Sequence, residues 1–340
     1  MKIKKFFTSV LVALAVATSG GCSKSTSEPG GSTTKIVNLQ QEWIPFSGFA
    51  GEVSGARRFA AANGIILNVQ PGSEQVDPIK LVLSGTTPFG VVGSDLLISA
   101  VAKGAPLVAI GVINQHTPTV FLVDQNSSIQ GPAEFKGHKI GVLAGTNTER
   151  VYQLMLKRAG VERNTMKEIQ IPFELTTFLT KQYDVRPAFI YDEPVSLEEK
   201  GFAFRVIDPA KFGVSFSGTV YFTTREALKS RRPEVVSMLK TLVQGWQFAL
   251  ADPAASIRDL HDQYPSIDAK RELRSLQLGL PYFQGPSGKP LLSTADDWKK
   301  MIAGMEEINE IPLGSVSVNQ VWDPSALEEA YRAIDSGERK

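Results

Sequence analysis

From Lys35 onward, short apolar runs alternate with amphipathic stretches. KIVNLQ predicts a strand, and AGEVSGARRFAAAN predicts a helix with Val53, Ala56, Phe59 and Ala60 on one face and Gly64 as its stop. IILNVQP is the next strand, DPIKLVLSG a helix with Pro78 in its first turn, and PFGVVG a short buried strand. SDLLISAVAKG then predicts a helix capped by Ser94 or Asp95, and PLVAIGVI another strand. This rhythm implies a mostly parallel sheet with helices on both faces.

After the extended run PTVFLVDQ the rhythm starts afresh. KIGVL is a strand, AGTN a glycine turn, and TERVYQLMLKRAG a helix capped by Thr146 or Asn147 and closed by Gly160. MKEIQIPF, DVRPAFIYDEP and AFRVIDP supply further strands, with PVSLEEKG as a helix between the last two. GTVYFTT is strand-like, and from Arg225 the chain is mostly helical. A chain that leaves one sheet, builds a second and returns to the first makes two lobes with a cleft between them. The expected division is 36–122 plus 219–340 for the first lobe and 123–218 for the second. Ligands of open α/β sheets sit at the carboxyl ends of the strands, so both sets of loops are expected to face the cleft.

The 340 residues are 42% hydrophobic and carry a formal charge of +1. That is enough chain for a large core split into two lobes, and the neutral balance without a basic stripe argues against a nucleic-acid partner. The N-terminus adds a destination. Basic MKIKK, apolar FFTSVLVALAVA and then TSGGC form a signal-peptide pattern over 1–21, too short an apolar run for a comfortable membrane span. Cys22 is the lone cysteine, so no internal disulfide is possible. Its place after small residues resembles the lipobox of bacterial lipoproteins, although Ser19 stands where leucine is usual. The resemblance implies lipidation of Cys22, and the polar 22–35 segment reads as a tether holding the folded body at the outer face of the cell membrane.

Chemistry-bearing motifs are sparse. His116, His138 and His261 lack metal-ligand spacing, and there is no nucleophile elbow, phosphate loop or dinucleotide fingerprint. No cofactor is expected. The conspicuous local feature is EWIPFSGFAGE, which places Glu42, Trp43, Phe46 and Phe49 in a turn that Pro45 and Gly48 enforce. Trp246, Phe248, Trp298 and Trp322 read as packing residues instead.

Taken with GTTPFGVVGSDLLISAVAKGAPLVAIGVI, FKGHKIGVLAGTNTERVYQLMLKRAGV, FLTKQYDVRPAFIYDEP, VIDPAKFGVSFSGTVYFTT and GWQFALADP, this turn gives the chain its family likeness. Over about 35–253 it resembles the periplasmic solute-binding proteins of ABC importers. The branch is the one related to thiamine-pyrimidine biosynthesis, with binders of formylated aminopyrimidines and riboflavin and, more distantly, of nitrate, sulfonates and taurine. The resemblance implies a type II periplasmic-binding-protein fold: two α/β lobes joined by two crossover strands, closing on a ligand by hinge motion. It implies a monomer that binds a small molecule and partners a membrane permease and ATPase.

Site residues follow from the same resemblance. Trp43 falls on the family's acid-Trp-x-Pro turn, where the indole walls a flat ring. Asp95 falls on a loop facing the cleft, a position it shares with the helix-cap reading. Gly145, Thr146, Asn147 and Thr148 fall on the second lobe's glycine loop, whose backbone N–H groups suit an anionic or carbonyl oxygen. Tyr191, Asp192 and Glu193 fall on a segment that reaches the ligand with polar side chains. Relatives that handle the pyrimidine often carry Asn and His where this chain has Phe46 and Phe49. Two added rings favour a flat, partly apolar, hydrogen-bond-donating heterocycle such as riboflavin or a thiamine precursor over small oxyanions. They also remove the histidine of the pyrimidine-synthesising relatives, so a heterocycle binder is expected, with a binder of nitrate-, sulfonate- or taurine-type anions as the alternative and a pyrimidine-synthase-like enzyme behind it.

Overall fold

The computed structural model describes residues 34–337 apart from Ser215; the expected leader, Cys22 and nearly all of the expected tether lie outside the described residues. Ten strands are present among the described residues, in two sheets. In chain order they are β1 (Lys35–Gln40), β2 (Ile65–Gln70), β3 (Phe89–Gly93), β4 (Leu107–Val112), β5 (Thr119–Asp124), β6 (Lys139–Val142), β7 (Lys167–Gln170), β8 (Val185–Phe189), β9 (Phe204–Ile207) and β10 (Thr219–Thr224). The first sheet runs β2-β1-β3-β10-β4 and the second β7-β6-β8-β5-β9.

β1 pairs in parallel with β2, from Lys35↔Ile65 to Gln40↔Gln70, and with β3, while β10 is antiparallel to both β3 and β4. In the second sheet β6 is parallel to β7 and β8, and β5 is antiparallel to β8 and β9. The antiparallel strand of each sheet is the one that arrives from the other sheet, so both crossings end beside each other. This is the type II periplasmic-binding-protein arrangement, as the sequence leads one to expect. β5 begins at Thr119 and lies wholly in the second sheet, so the first crossing is at 113–118, a few residues before the division at 122 expected from the sequence. Its Ile113 N–H donates to Thr219 O at 2.8 Å, and Gly218 N–H donates to Asn114 O at 3.0 Å, which binds the two crossings to each other.

Burial follows the strand positions. β2 and β4 are the two edges of the first sheet, but β4 (LVAIGV) is buried along its whole length because later chain covers its edge, through the bridges Ala109↔Trp322 and Val112↔Leu291, whereas β2 alternates buried and exposed. Helix α1 (Ala50–Arg58) follows β1, α2 (Pro78–Leu83) precedes β3, α3 (Ser94–Ala102) follows it, and α4 (Asn147–Arg158) follows β6. Two caps differ from the sequence reading. The N-cap of α3 is Gly93, and neither Ser94 nor Asp95 caps it: the Ser94 hydroxyl donates to Ser217 O at 2.9 Å and Asp95 is engaged elsewhere. Thr146 does occupy the N-cap of α4, but its hydroxyl donates backward to Leu143 O at 2.6 Å instead of capping.

Helix Arg232–Ala251 follows β10 in the first lobe and packs on α1 through glycines. A Cβ on Gly245 would stand 2.1 Å from Gly51 O and 2.5 Å from Gly55 N, so the two backbones touch where no side chain fits. Overpacking of this kind costs about 1–3 kcal/mol or more. Gly245→Ala is therefore expected to lower the urea midpoint clearly, and a variant as stable as the parent would contradict this helix contact. Trp246 is buried at this contact, and Trp298 and Trp322 are buried against each other elsewhere in the core, all three packing residues as the sequence reading has them.

Candidate functional site

A cleft of about 1290 Å³ opens between the two sheets, lined by loops from both. Its first-lobe wall is the EWIPF turn. The Phe46 ring folds over Gly48, where a Cβ would stand 2.3 Å from the ring, so only glycine permits the fold-back. Phe46 thereby meets Phe49 edge-on at 4.8 Å. Phe49 is 2% exposed and does not line the cavity; it supports Phe46 from below. Trp43 is half-buried and does line it.

The second lobe supplies the facing rings. Phe173 lies 6.2 Å from Trp43, and Tyr191 lies 6.0 Å from Phe46. Phe189 stacks on Tyr191 at 6.3 Å with an interplanar angle of 9°. Five rings from two lobes thus surround one space, of which sequence reasoning identified Trp43, Phe46 and Tyr191 and missed Phe173 and Phe189. The signal for the missed pair was weak: Phe173 lies in the loop after β7 and Phe189 is the last residue of β8, and no turn chemistry marks either position.

A helix from the C-terminal region joins the two walls. From helix Ala269–Phe283, Glu272 accepts from the Ser47 N–H at 2.6 Å, and the Ser275 hydroxyl bonds the Ser47 hydroxyl at 2.6 Å and the Tyr191 carbonyl. Arg271 of the same helix pairs with Asp192 at 2.6 Å. On the opposite side, Arg150 of α4 pairs with Asp95 at 3.1 Å and with Glu310 at 3.1 Å. Both sides of the cleft are therefore bridged by arginine–carboxylate contacts between the lobes.

The polar lining is acidic. Nine carboxylates and four cations border the cavity, and two of the cations, Arg150 and Arg271, are already paired with carboxylates. Asp95 is 2% exposed; its Oδ2 takes Arg150 while its buried Oδ1 has no hydrogen-bond partner among the described residues. Glu42 accepts from the Thr219 hydroxyl at 3.1 Å. Loss of water in the cleft pushes its pKa up to about 7, against the pull of that hydroxyl and with help from the charge of Asp95. Burial likewise raises Glu193 to about 7, the Asp192 charge adding to it and Arg186 opposing. Glu193 accepts from the Phe189 N–H at 2.8 Å.

Of the glycine loop, Thr146, Asn147 and Thr148 line the cavity and Gly145 does not. The Gly145 N–H is taken by Glu149 at 2.7 Å, and Asn147 accepts from Thr119 at 3.1 Å. With the Thr146 N–H donating to Leu143 O at 3.3 Å, two of the loop's backbone donors are thus spent within the protein. Asp192 and Glu193 border the cavity with Tyr191. An enclosure of this kind can hold a flat ring by its faces and accept hydrogen bonds from its edge.

Comparison with known proteins agrees with this architecture. Residues 56–256 match a family described as NMT1/THI5 like. A formylaminopyrimidine-binding protein of Halalkalibacterium halodurans is 21% identical over 313 residues, covering 89% of this chain and 94% of its own. A 4-amino-5-hydroxymethyl-2-methylpyrimidine phosphate synthase of Legionella pneumophila is 22% identical over 248 residues, covering 72% and 77%. Among solved structures, the periplasmic aliphatic sulphonate binding protein SsuA of Escherichia coli superposes with a TM-score of 0.67 at 18% identity, covering 85% of this chain and 92% of its own.

Proposed function

The chain belongs to the NMT1/THI5-like family, and from that premise we propose that it is the extracytoplasmic solute-binding component of an ABC importer. It takes a flat, nitrogen-bearing heterocycle of the riboflavin or thiamine-pyrimidine type between its lobes and delivers it to a membrane permease served by an ATPase. Export, a lipid anchor at Cys22 and a monomeric body tethered at the membrane surface belong to the same proposal. The observation that carries it is the set of five rings drawn from both lobes around a cleft whose charged lining is mostly carboxylate. Ring stacking on aromatic side chains contributes about 1–3 kcal/mol per ring face, and a charged acceptor facing an N–H edge adds about as much.

Size and charge narrow the ligand. Pockets for drug-sized molecules run to roughly 300–1,000 Å³, so a cavity of about 1290 Å³ would be mostly empty around nitrate or taurine. A multi-ring flavin fills more of it than a single pyrimidine. Phe173, Ile44 and Leu96 line the cavity at 54%, 53% and 42% exposure, apolar surface that a larger ring system would cover. Nine lining carboxylates against four cations disfavour an oxyanion further. Catalysis of the synthase kind is also disfavoured: no histidine lines the cavity, and Phe49 stands where the resemblance places that group.

A thermal-shift panel tests the reading. Riboflavin or a formylated aminopyrimidine at a hundred times its dissociation constant stabilises by about 2.7 kcal/mol, enough to raise Tm by several degrees. Nitrate and taurine are expected to leave Tm unchanged. A shift with taurine or nitrate and none with either heterocycle overturns the proposal.

A further inference from the structure

Strand β8 (VRPAF) carries Arg186, whose side chain is completely buried. A guanidinium keeps its charge at any ordinary pH, and a buried charge without partners costs several kcal/mol, so its surroundings must wrap it. Those surroundings are unusual in what they connect. Nη1 donates to the Tyr183 hydroxyl at 2.8 Å and to the carbonyls of Pro172 at 3.3 Å and Glu174 at 3.4 Å. Nη2 donates to the Phe173 carbonyl and stands 3.6 Å from Glu193 Oε1. Three successive carbonyls of one loop therefore converge on a single fork, and a cavity carboxylate closes the other side.

Both of the groups held this way belong to the cleft. Phe173 reaches across it to Trp43, and Glu193 stands in its wall with the Phe189 N–H on its second oxygen. The loop between Gln170, the end of β7, and the short helix Thr176–Leu179 touches β6 only at its start, where the Ile171 N–H donates to Val142 O at 3.1 Å; Phe173 itself makes no backbone hydrogen bond to a strand among the described residues. An apolar residue at 186 would fill the space but could not hold the carbonyls.

We propose that Arg186 is a positioning residue of the ligand pocket, which sets the Phe173 ring opposite Trp43 and the Glu193 carboxylate in the same wall from beneath. The proposal rests on reading the cleft as the ligand site, but its effect on Trp43 is present without ligand. Arg186 thus determines how closely the outer pair of rings can clasp a flat solute, although it touches none.

Acrylamide quenching of tryptophan emission tests this in ligand-free protein. Trp246, Trp298 and Trp322 are at most 5% exposed, so the quenchable signal comes from Trp43. Arg186→Gln and Phe173→Ala are each expected to raise the quenching constant about twofold, and the double variant no further than either alone. Wild-type quenching in a folded Arg186→Gln protein, or a double variant showing the sum of both increases, overturns the proposal. Where Arg186→Gln does not accumulate as folded protein, hydrogen exchange of the unaltered protein decides. Amides of 173–175 are expected to exchange at least tenfold slower than in a free peptide of that sequence, and peptide-like exchange overturns the proposal. Because neither measurement uses a ligand, a negative result here leaves the ligand assignment standing, and failure of the thermal-shift panel leaves this test intact.

Discussion

Trp43→Ala is expected to weaken binding of the ring solute by roughly a hundredfold while the protein still unfolds within a degree or two of the parent. The size follows from what the indole does. It is one wall of the cleft, half-buried, with Phe173 as its partner across the gap. Losing one stacking face costs about 1–3 kcal/mol, and the widened gap lets water compete for the remaining contacts. Stability is spared because the core beneath is carried by Phe49, Val53 and Trp246, all at most 2% exposed. Calorimetric titration with riboflavin or a formylated aminopyrimidine measures the loss, and unchanged affinity would return Trp43 to a packing role.

The second large effect concerns pH. Glu52, in the first turn of α1, is fully buried, and its carboxyl meets the Gln41 amide at 2.6 Å. Burial pushes its pKa up to about 8, against the opposing hydrogen bonds of Gln41 and Tyr221. In the unfolded chain the same group titrates near 4.5. Between those values the folded protein holds a proton that the unfolded chain has released, so stability falls as pH rises from about 4.5 to about 8 and then levels. Glu42, raised to about 7, adds to the same downward slope over the lower part of that range. Glu52→Gln keeps the neutral hydrogen-bonding shape and cannot ionise. It is expected to match the parent at pH 5 and exceed it at pH 9 by a few kcal/mol, read from urea unfolding at both pH values. Parallel stability curves for the two proteins would show that Glu52 is already ionised in the folded state.

The elements legible in the sequence were those with local signals. Alternation and glycine stops located the strands of both sheets, and the turn chemistry of Pro45 and Gly48 marked the first wall of the cleft. Caps were less legible: Ser94 and Asp95 look like caps because their residue types favour that role, yet tertiary partners, Ser217 and Arg150, claimed their side chains. The second wall was only half visible. Tyr191 stands in a recognisable motif, whereas Phe173 owes its place to Arg186, thirteen residues later in the chain, and faces a tryptophan 130 positions earlier. The likeness of GTNTE to an anion-holding loop was legible too, but not that Glu149 would fold back onto the Gly145 N–H. Long-range contacts of this kind leave no periodic trace.

The central claim is that rings from two lobes enclose a flat heterocycle. Native mass spectrometry of protein purified without unfolding, compared with its Trp43→Ala variant prepared identically, tests it most directly. One molecule of a nitrogen heterocycle per chain is expected in the parent and little or none in the variant. A bound sulfonate or nitrate, or a heterocycle retained equally by both proteins, would contradict it.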